Sequence, residues 1–339
     1  MSVRVLSAAP PLGAHLLASG AEFSLWSDKA REASLVLYGP DARVRELPLA
    51  SHGNGVFSTI VSPYQPGTSY DFRIDGSVVP DPYARFLPDG VHGPAEIWPA
   101  LPPRIHGKRV VDLAEPQVIY ELHVGTFTQE GTFASAMLHL PELAQLGVTV
   151  IELLPISAFS GRRGWGYDGV ALFAPLAAYG TPADLARLID AAHGLGLSMI
   201  LDVVYNHLGP DGNYLGAYSD NYFDSSRQTP WGDAPALDRL PFRRLVLDSA
   251  RYWLSDLGFD GLRLDAVHAL EPGGDPHIVR EIALLAHSLP EPAVVIAEDE
   301  RNDPEWLFEL GVDAVWSDDF HHVLHVLLTG EQQGYYSAY

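Results

Sequence analysis

The stretch GLRLDAVH (261–268) passes from an apolar run into polar residues at its C-terminal end. Leu262 and Leu264 alternate with Arg263 and Asp265, so the two charged side chains, two positions apart, share one face of a strand. In a parallel α/β barrel, inward positions are ordinarily Val, Ile or Leu, and the active-site loops sit at the strands' C-terminal ends. A charged pair at that place therefore reads as chemistry. Two other segments read the same way: LDVVYNH (201–207) carries Asp202, Asn206 and His207, and VVIAEDE (294–300) carries Glu298.

Around these lies a regular alternation. Apolar strands VIYELHV (118–124), TVIELLPI (149–156), SMILDVVY (198–205), DGLRLDAV (260–267), AVVIAED (293–299) and VDAVWSDD (312–319) are separated by helical patterns near 133–146, 182–195, 242–257, 276–288 and 304–310. Leu146-Gly147, Leu195-Gly196, Leu257-Gly258 and Leu310-Gly311 each stand between a helix and a strand, where glycine reverses the chain in the left-handed conformation. Thr181, Pro182 and Asp184 open one helix as cap, first-turn proline and dipole-matching acid. The fold class expected is α/β, a (β/α)8 TIM-type barrel of which about six strands are present, over 117–339. Residues 1–100 read instead as an immunoglobulin-like β-sandwich: GAEFSLWSD (20–28), EASLVLYG (32–39), RVRELPLAS (43–51), GVFSTIVS (55–62) and SYDFRIDG (69–76) are short runs between turn residues. Residues 101–116, at the end of a proline-rich stretch, read as a linker.

Composition narrows the function. Asp and Glu outnumber Lys and Arg 43 to 21, a net charge of −22, which opposes binding to a phosphate backbone. There is no cysteine, hence no disulfide framework and no thiolate site. No apolar run approaches the roughly 18 residues of a membrane span, and the N-terminus lacks the order of a secretory signal. Nucleic acid, membrane and cofactor are not expected, and the cytoplasm is the expected compartment.

Two carboxyl groups converging at the barrel mouth suit glycoside hydrolysis, one as nucleophile and one as proton donor. Arg263 would keep Asp265 ionised and oriented, while the apolar VVIA before Glu298 would raise its carboxyl, as a general acid needs. Asp202, Asn206 and His207 close an earlier strand, where the carboxylate and the imidazole suit hydrogen bonds to sugar hydroxyls; His207 reads alternatively as a residue closing the barrel end. A metal on Asp202 and His207 is disfavoured, since no dense ligand cluster surrounds them. Trp165 and Tyr167, in the loop RRGWGYDG (162–169), offer flat faces to pyranose rings. His268, and Asp319 and His321 in WSDDFHH (316–322), are further site-lining candidates.

With these motifs in order, the chain resembles the α-amylase clan of glycoside hydrolases, and DPYARFLPDGVHG, YELHVGTFTQEGTF and YNHLGPDGNYL bring it nearest the trehalohydrolase subgroup. The resemblance implies a retaining enzyme that cuts the α-1,4 bond next to the trehalose end of a maltooligosyl-trehalose. It implies Asp265 as nucleophile, Glu298 as acid/base and Arg263 as the nucleophile's partner, with Asp202, His207, Tyr167 and Trp165 lining the subsite of the cleaved sugar. A retaining pair stands about 5–5.5 Å apart. The clan's third acid lies in a His-Asp dipeptide at the seventh strand, and no such dipeptide occurs here. Ending after the sixth strand, where an open barrel would expose strand edges, the chain is expected to be the N-terminal part of a longer enzyme; a protein that stopped there would be expected to show poor solubility and little or no activity. A glycogen branching enzyme and a non-catalytic glucan-binding relative are the alternatives.

Overall fold

The computed structural model describes residues 11–39, 43–64, 67–98, 101–301 and 303–339; of the expected sandwich, 1–10, 40–42, 65, 66, 99 and 100 lie outside the described residues, and so does residue 302 of the expected barrel. Near the N-terminus two antiparallel sheets form. One is ordered Gly13–Leu17, Gly20–Trp26, Val56–Val61, Ala50–Gly53, and the other Val44–Pro48, Ala33–Tyr38, Ser69–Ile74, Ser77–Val79, with Ala95–Glu96 also paired to Ser69–Ile74. Alternate residues Phe23 and Leu25 from one sheet and Leu35, Leu37 and Phe72 from the other are buried together, with Phe23 edge-on to Tyr70 at 5.0 Å. The run 43–51, expected as one strand, is two: Pro48 ends the first, and the chain crosses at buried Leu49 into the other sheet. Gly13–Leu17, Ser77–Val79 and Ala95–Glu96 were not expected; each is too short or too polar to alternate visibly.

The second half holds six parallel strands in sequence order: β1 (Ile119–Leu122), β2 (Val150–Leu153), β3 (Ser198–Val203), β4 (Gly261–Leu264), β5 (Val294–Asp299) and β6 (Ala314–Ser317). This is the partial barrel expected. Helices α1 (Leu140–Leu146), α2 (Pro182–Gly194), α3 (Leu240–Arg251), α4 (Ile278–Ser288) and α5 (Asp318–Thr329) accompany it. Thr181 and Asp184 close a reciprocal capping box on α2. The glycines of the four Leu-Gly joints all take positive φ: 96° at Gly147, 83° at Gly196, 89° at Gly258 and 77° at Gly311.

Strand pairing sorts the side chains. Ile151, Leu153, Leu201, Leu262, Val295 and Ala297 pack with the helices in the main core. Val150, Ile200 and Ile296, on the opposite face, form a separate small cluster with Val111. Above that inner cluster, toward the strands' C-terminal ends, the same face turns polar, with Asp202 directly opposite Arg263. The sandwich is tied on through Ser27 Oγ, which donates to Tyr218 O at 2.6 Å, and Tyr218 Oη, which donates to Pro80 O at 2.9 Å.

At the opposite end, Asp260 accepts from Met199 N at 2.7 Å, from His193 Nε2 at 2.8 Å and from Arg109 N at 2.9 Å, with its side chain and that of His193 fully buried. It thereby joins α2, β3, β4 and the segment leading into the barrel. Asp260→Ala strands two buried donors, His193 Nε2 and Met199 N, and the partly buried Arg109 N, and a loss of roughly 3–5 kcal/mol of stability is expected in urea unfolding. A loss below about 1 kcal/mol would show that these donors find other partners.

Candidate active site

Arg263 is the centre around which the site is built. From β4 its Nη1 donates to both carboxylate oxygens of Asp202 on β3, at 2.8 and 2.9 Å, and to Asp265 Oδ1 at 3.0 Å, while its Nη2 stands 2.7 Å from Glu298 Oε1 on β5. Three of the expected acids thus meet on one buried guanidinium. Asp265 is fixed from its other side as well. Asn206 Nδ2 donates to Asp265 Oδ2 at 2.7 Å and to its backbone oxygen at 2.8 Å. Asn206, noted in the sequence only as part of a polar strand end, thus holds the acid.

The backbone after Asp265 is aimed at Glu298. Ala266 adopts φ 43°, a left-handed conformation unfavourable to a residue with a Cβ, and its N–H donates to Glu298 Oε2 at 2.8 Å. Burial pushes the Glu298 carboxyl above its ordinary range, against the pull of Arg263. Burial likewise raises Asp202, to about 7, and Arg263 opposes that too. The Arg263 guanidinium is held firmly charged, since Asp202, Glu298 and Asp265 together outweigh its own desolvation.

The loop after β2 reaches the same centre. Tyr167 Oη donates to Asp202 Oδ2 at 2.8 Å, and His207 Nε2 donates to the Tyr167 backbone oxygen at 2.8 Å. Gly166 permits this turn: at φ 98°, a Cβ there would lie 2.0 Å from Pro155 O. Trp165 is exposed, its ring edge-on to His123 at 5.4 Å. Trp231, which sequence reasoning did not single out, stacks on His207 at 3.7 Å and donates from Nε1 to Asp168 Oδ1 at 2.9 Å.

The remaining candidates lie on the segments that follow β4 and β6. His268 Nδ1 lies 3.7 Å from Asp299 Oδ1. Asp319 sits in the first turn of α5 and accepts from Ser317 Oγ at 3.2 Å, while His321 faces Asp318 at 3.8 Å. The charge of Asp318 acts on Glu298 and raises its carboxyl. Glu152, on β2, escaped sequence reasoning altogether: it is fully buried, and its Oε1 lies 3.9 Å from Arg263 Nε. Among the described residues no group of three or more His, Cys, Asp or Glu side chains is placed to hold a metal ion.

Residues 83–232 match the family described as alpha amylase, catalytic domain, and residues 11–84 match carbohydrate-binding module 48, the isoamylase N-terminal domain. The malto-oligosyltrehalose trehalohydrolase of Deinococcus radiodurans is 46% identical over 97% of the chain and 54% of its own length. That of Saccharolobus solfataricus is 40% identical over 94% of the chain and 57% of its own. A crystal structure of a putative alpha amylase from Salmonella typhimurium superposes with a TM-score of 0.88 at 41% identity, covering 97% of the chain and 57% of that protein. The chain therefore spans little more than half the length of the relatives it matches.

Proposed function

This chain belongs to the α-amylase family of glycoside hydrolases, and from that membership we propose that the protein is a retaining α-glycosidase which hydrolyses the α-1,4 glucosidic bond next to the trehalose end of maltooligosyl-trehalose, releasing trehalose. The observation that carries the chemistry is the placing of Asp265 and Glu298 on two nitrogens of one guanidinium. Asp265, held through both oxygens, attacks the anomeric carbon as Glu298 gives its proton to the departing glycosidic oxygen. Glu298 then takes a proton from water, whose oxygen displaces Asp265 and frees the maltooligosaccharide with retained configuration. Burial of Glu298 favours the protonated form that the first step consumes. Asp202, Tyr167, His207 and Trp165 are assigned to the subsite of the cleaved sugar, and His268, Asp319 and His321 to the further lining of the substrate site. The barrel over 117–339 carries the chemistry, and the sandwich over 1–100 and linker over 101–116 frame it. No helix among the described residues is long and apolar enough to cross a membrane; the cytoplasm is the proposed compartment.

Incubation with maltooligosyl-trehalose is expected to yield trehalose and the shortened maltooligosaccharide, followed by chromatography. New α-1,6 linkages in amylose without trehalose release would make the protein a branching enzyme. Glucan binding with no turnover would make it a binding protein.

A further inference from the structure

Glu152 is a buried acid for which the proposed reaction has no use. It lies on the inner face of β2, paired in register with Glu121 on β1 and with Ile200, one layer below Asp202, on β3. Its side chain has no exposure, and neither carboxyl oxygen has a hydrogen-bond partner. The charges acting on it are Asp202 from β3, Arg263 from β4, Glu121 from β1 and Glu298 from β5. Arg263, the only cation among them, spends Nη1 and Nη2 on Asp202, Asp265 and Glu298. Its Nε is buried without a hydrogen-bond partner and faces Glu152 Oε1 at 3.9 Å, beyond hydrogen-bond reach. An ionised carboxylate so close to a guanidinium would be drawn into contact, and left unbonded in a buried site it is strongly disfavoured; a neutral acid carries a far smaller penalty.

We propose that Glu152 is a positioning residue: a protonated, neutral carboxylic acid that fills the space beside the Nε edge of Arg263 without competing for it, so that the Nη groups stay with Asp202, Asp265 and Glu298. Burial, reinforced by the charge of Asp202, pushes the Glu152 carboxyl up to about 8, in the same sense. As pH rises through that value the proton leaves, Glu152 becomes a fourth claimant on Arg263, and the grip on Asp265 and Glu298 loosens. This last consequence rests on the catalytic reading of those two acids; the protonation state of Glu152 does not.

Two measurements on the protein separate these parts. In carbon-13 NMR with labelled glutamate carboxyls, one signal is expected to titrate near the value of about 8 given by burial, to persist in Glu298→Gln and to vanish in Glu152→Gln. No glutamate titrating above about pH 6, or a high signal that vanishes in Glu298→Gln, would overturn the proposal, and neither outcome needs Glu152→Gln to fold. In the pH profile of trehalose release, Glu152→Gln is expected to carry the alkaline limb to higher pH than the wild type. An unmoved limb beside a confirmed titration would overturn the positioning role. A protein that releases no trehalose fails the functional reading instead, and the titration still decides the state of Glu152.

Discussion

Asp265→Asn is expected to lower kcat by about four orders of magnitude or more, equivalent to roughly 5.5 kcal/mol of transition-state stabilisation. The substitution keeps the shape of the side chain: the amide oxygen can still accept from Arg263 Nη1 or from Asn206 Nδ2, while the amide nitrogen faces the other donor and that contact is lost. What disappears is the anionic oxygen that bonds to the anomeric carbon, and no other described carboxylate is held as it is by Arg263 and Asn206 together. Glu298→Gln gives a different pattern. Loss of the proton donor costs about 10²–10⁴-fold on natural substrate, but much less on an aryl glycoside whose leaving group needs no proton. Kinetics on both substrates, with thermal unfolding of each variant as control, checks the pair of roles. If Asp265→Asn kept about a tenth of the wild-type kcat, a covalent step at Asp265 would be ruled out.

How much of this was legible in the chain depends on whether the signal was local. The Leu-Gly joints and the Thr181–Asp184 cap are written in adjacent residues, and each appears where expected. The pairing of Arg263 with Asp265 follows from two-residue spacing, which any strand converts into a shared face. Glu152 had no such signal. In TVIELLPI it interrupts an apolar run, and only the register of β2 on β3, a contact between distant segments, shows that it turns inward. Asn206 was visible as a polar strand end, but its partner lies 59 residues away in sequence. Trp231 arrives on an excursion between β3 and α3 whose path no periodicity predicts.

Arg263→Leu is expected to destabilise the protein by about 3–5 kcal/mol near pH 8, the cost of leaving buried charges without their partner. The argument turns on the absence of a replacement. Asp202 is buried and receives two bonds from Nη1, and Tyr167 Oη is its other hydrogen-bond donor among the described residues. With the cation gone, Asp202 and Glu298 must either stay ionised side by side or take up protons. Both already lie above their ordinary range with Arg263 present, and its loss removes the one influence that drew each toward ionisation by opposite charge. In the variant their folded-state values therefore rise further above the unfolded ones. A group so shifted weakens the fold as pH rises through the interval between the two values and leaves it unaffected below both. The penalty is thus expected to be smaller near pH 5 than near pH 8, a difference that urea unfolding at the two values measures directly. Activity is expected to fall by roughly 10²–10³-fold at neutral pH, since Asp265 loses its orientation and Glu298 its place beside it. A variant as stable as the wild type at both pH values would mean that Asp202, Asp265 and Glu298 are not balanced on this guanidinium, and the electrostatic account of the site would fail with it.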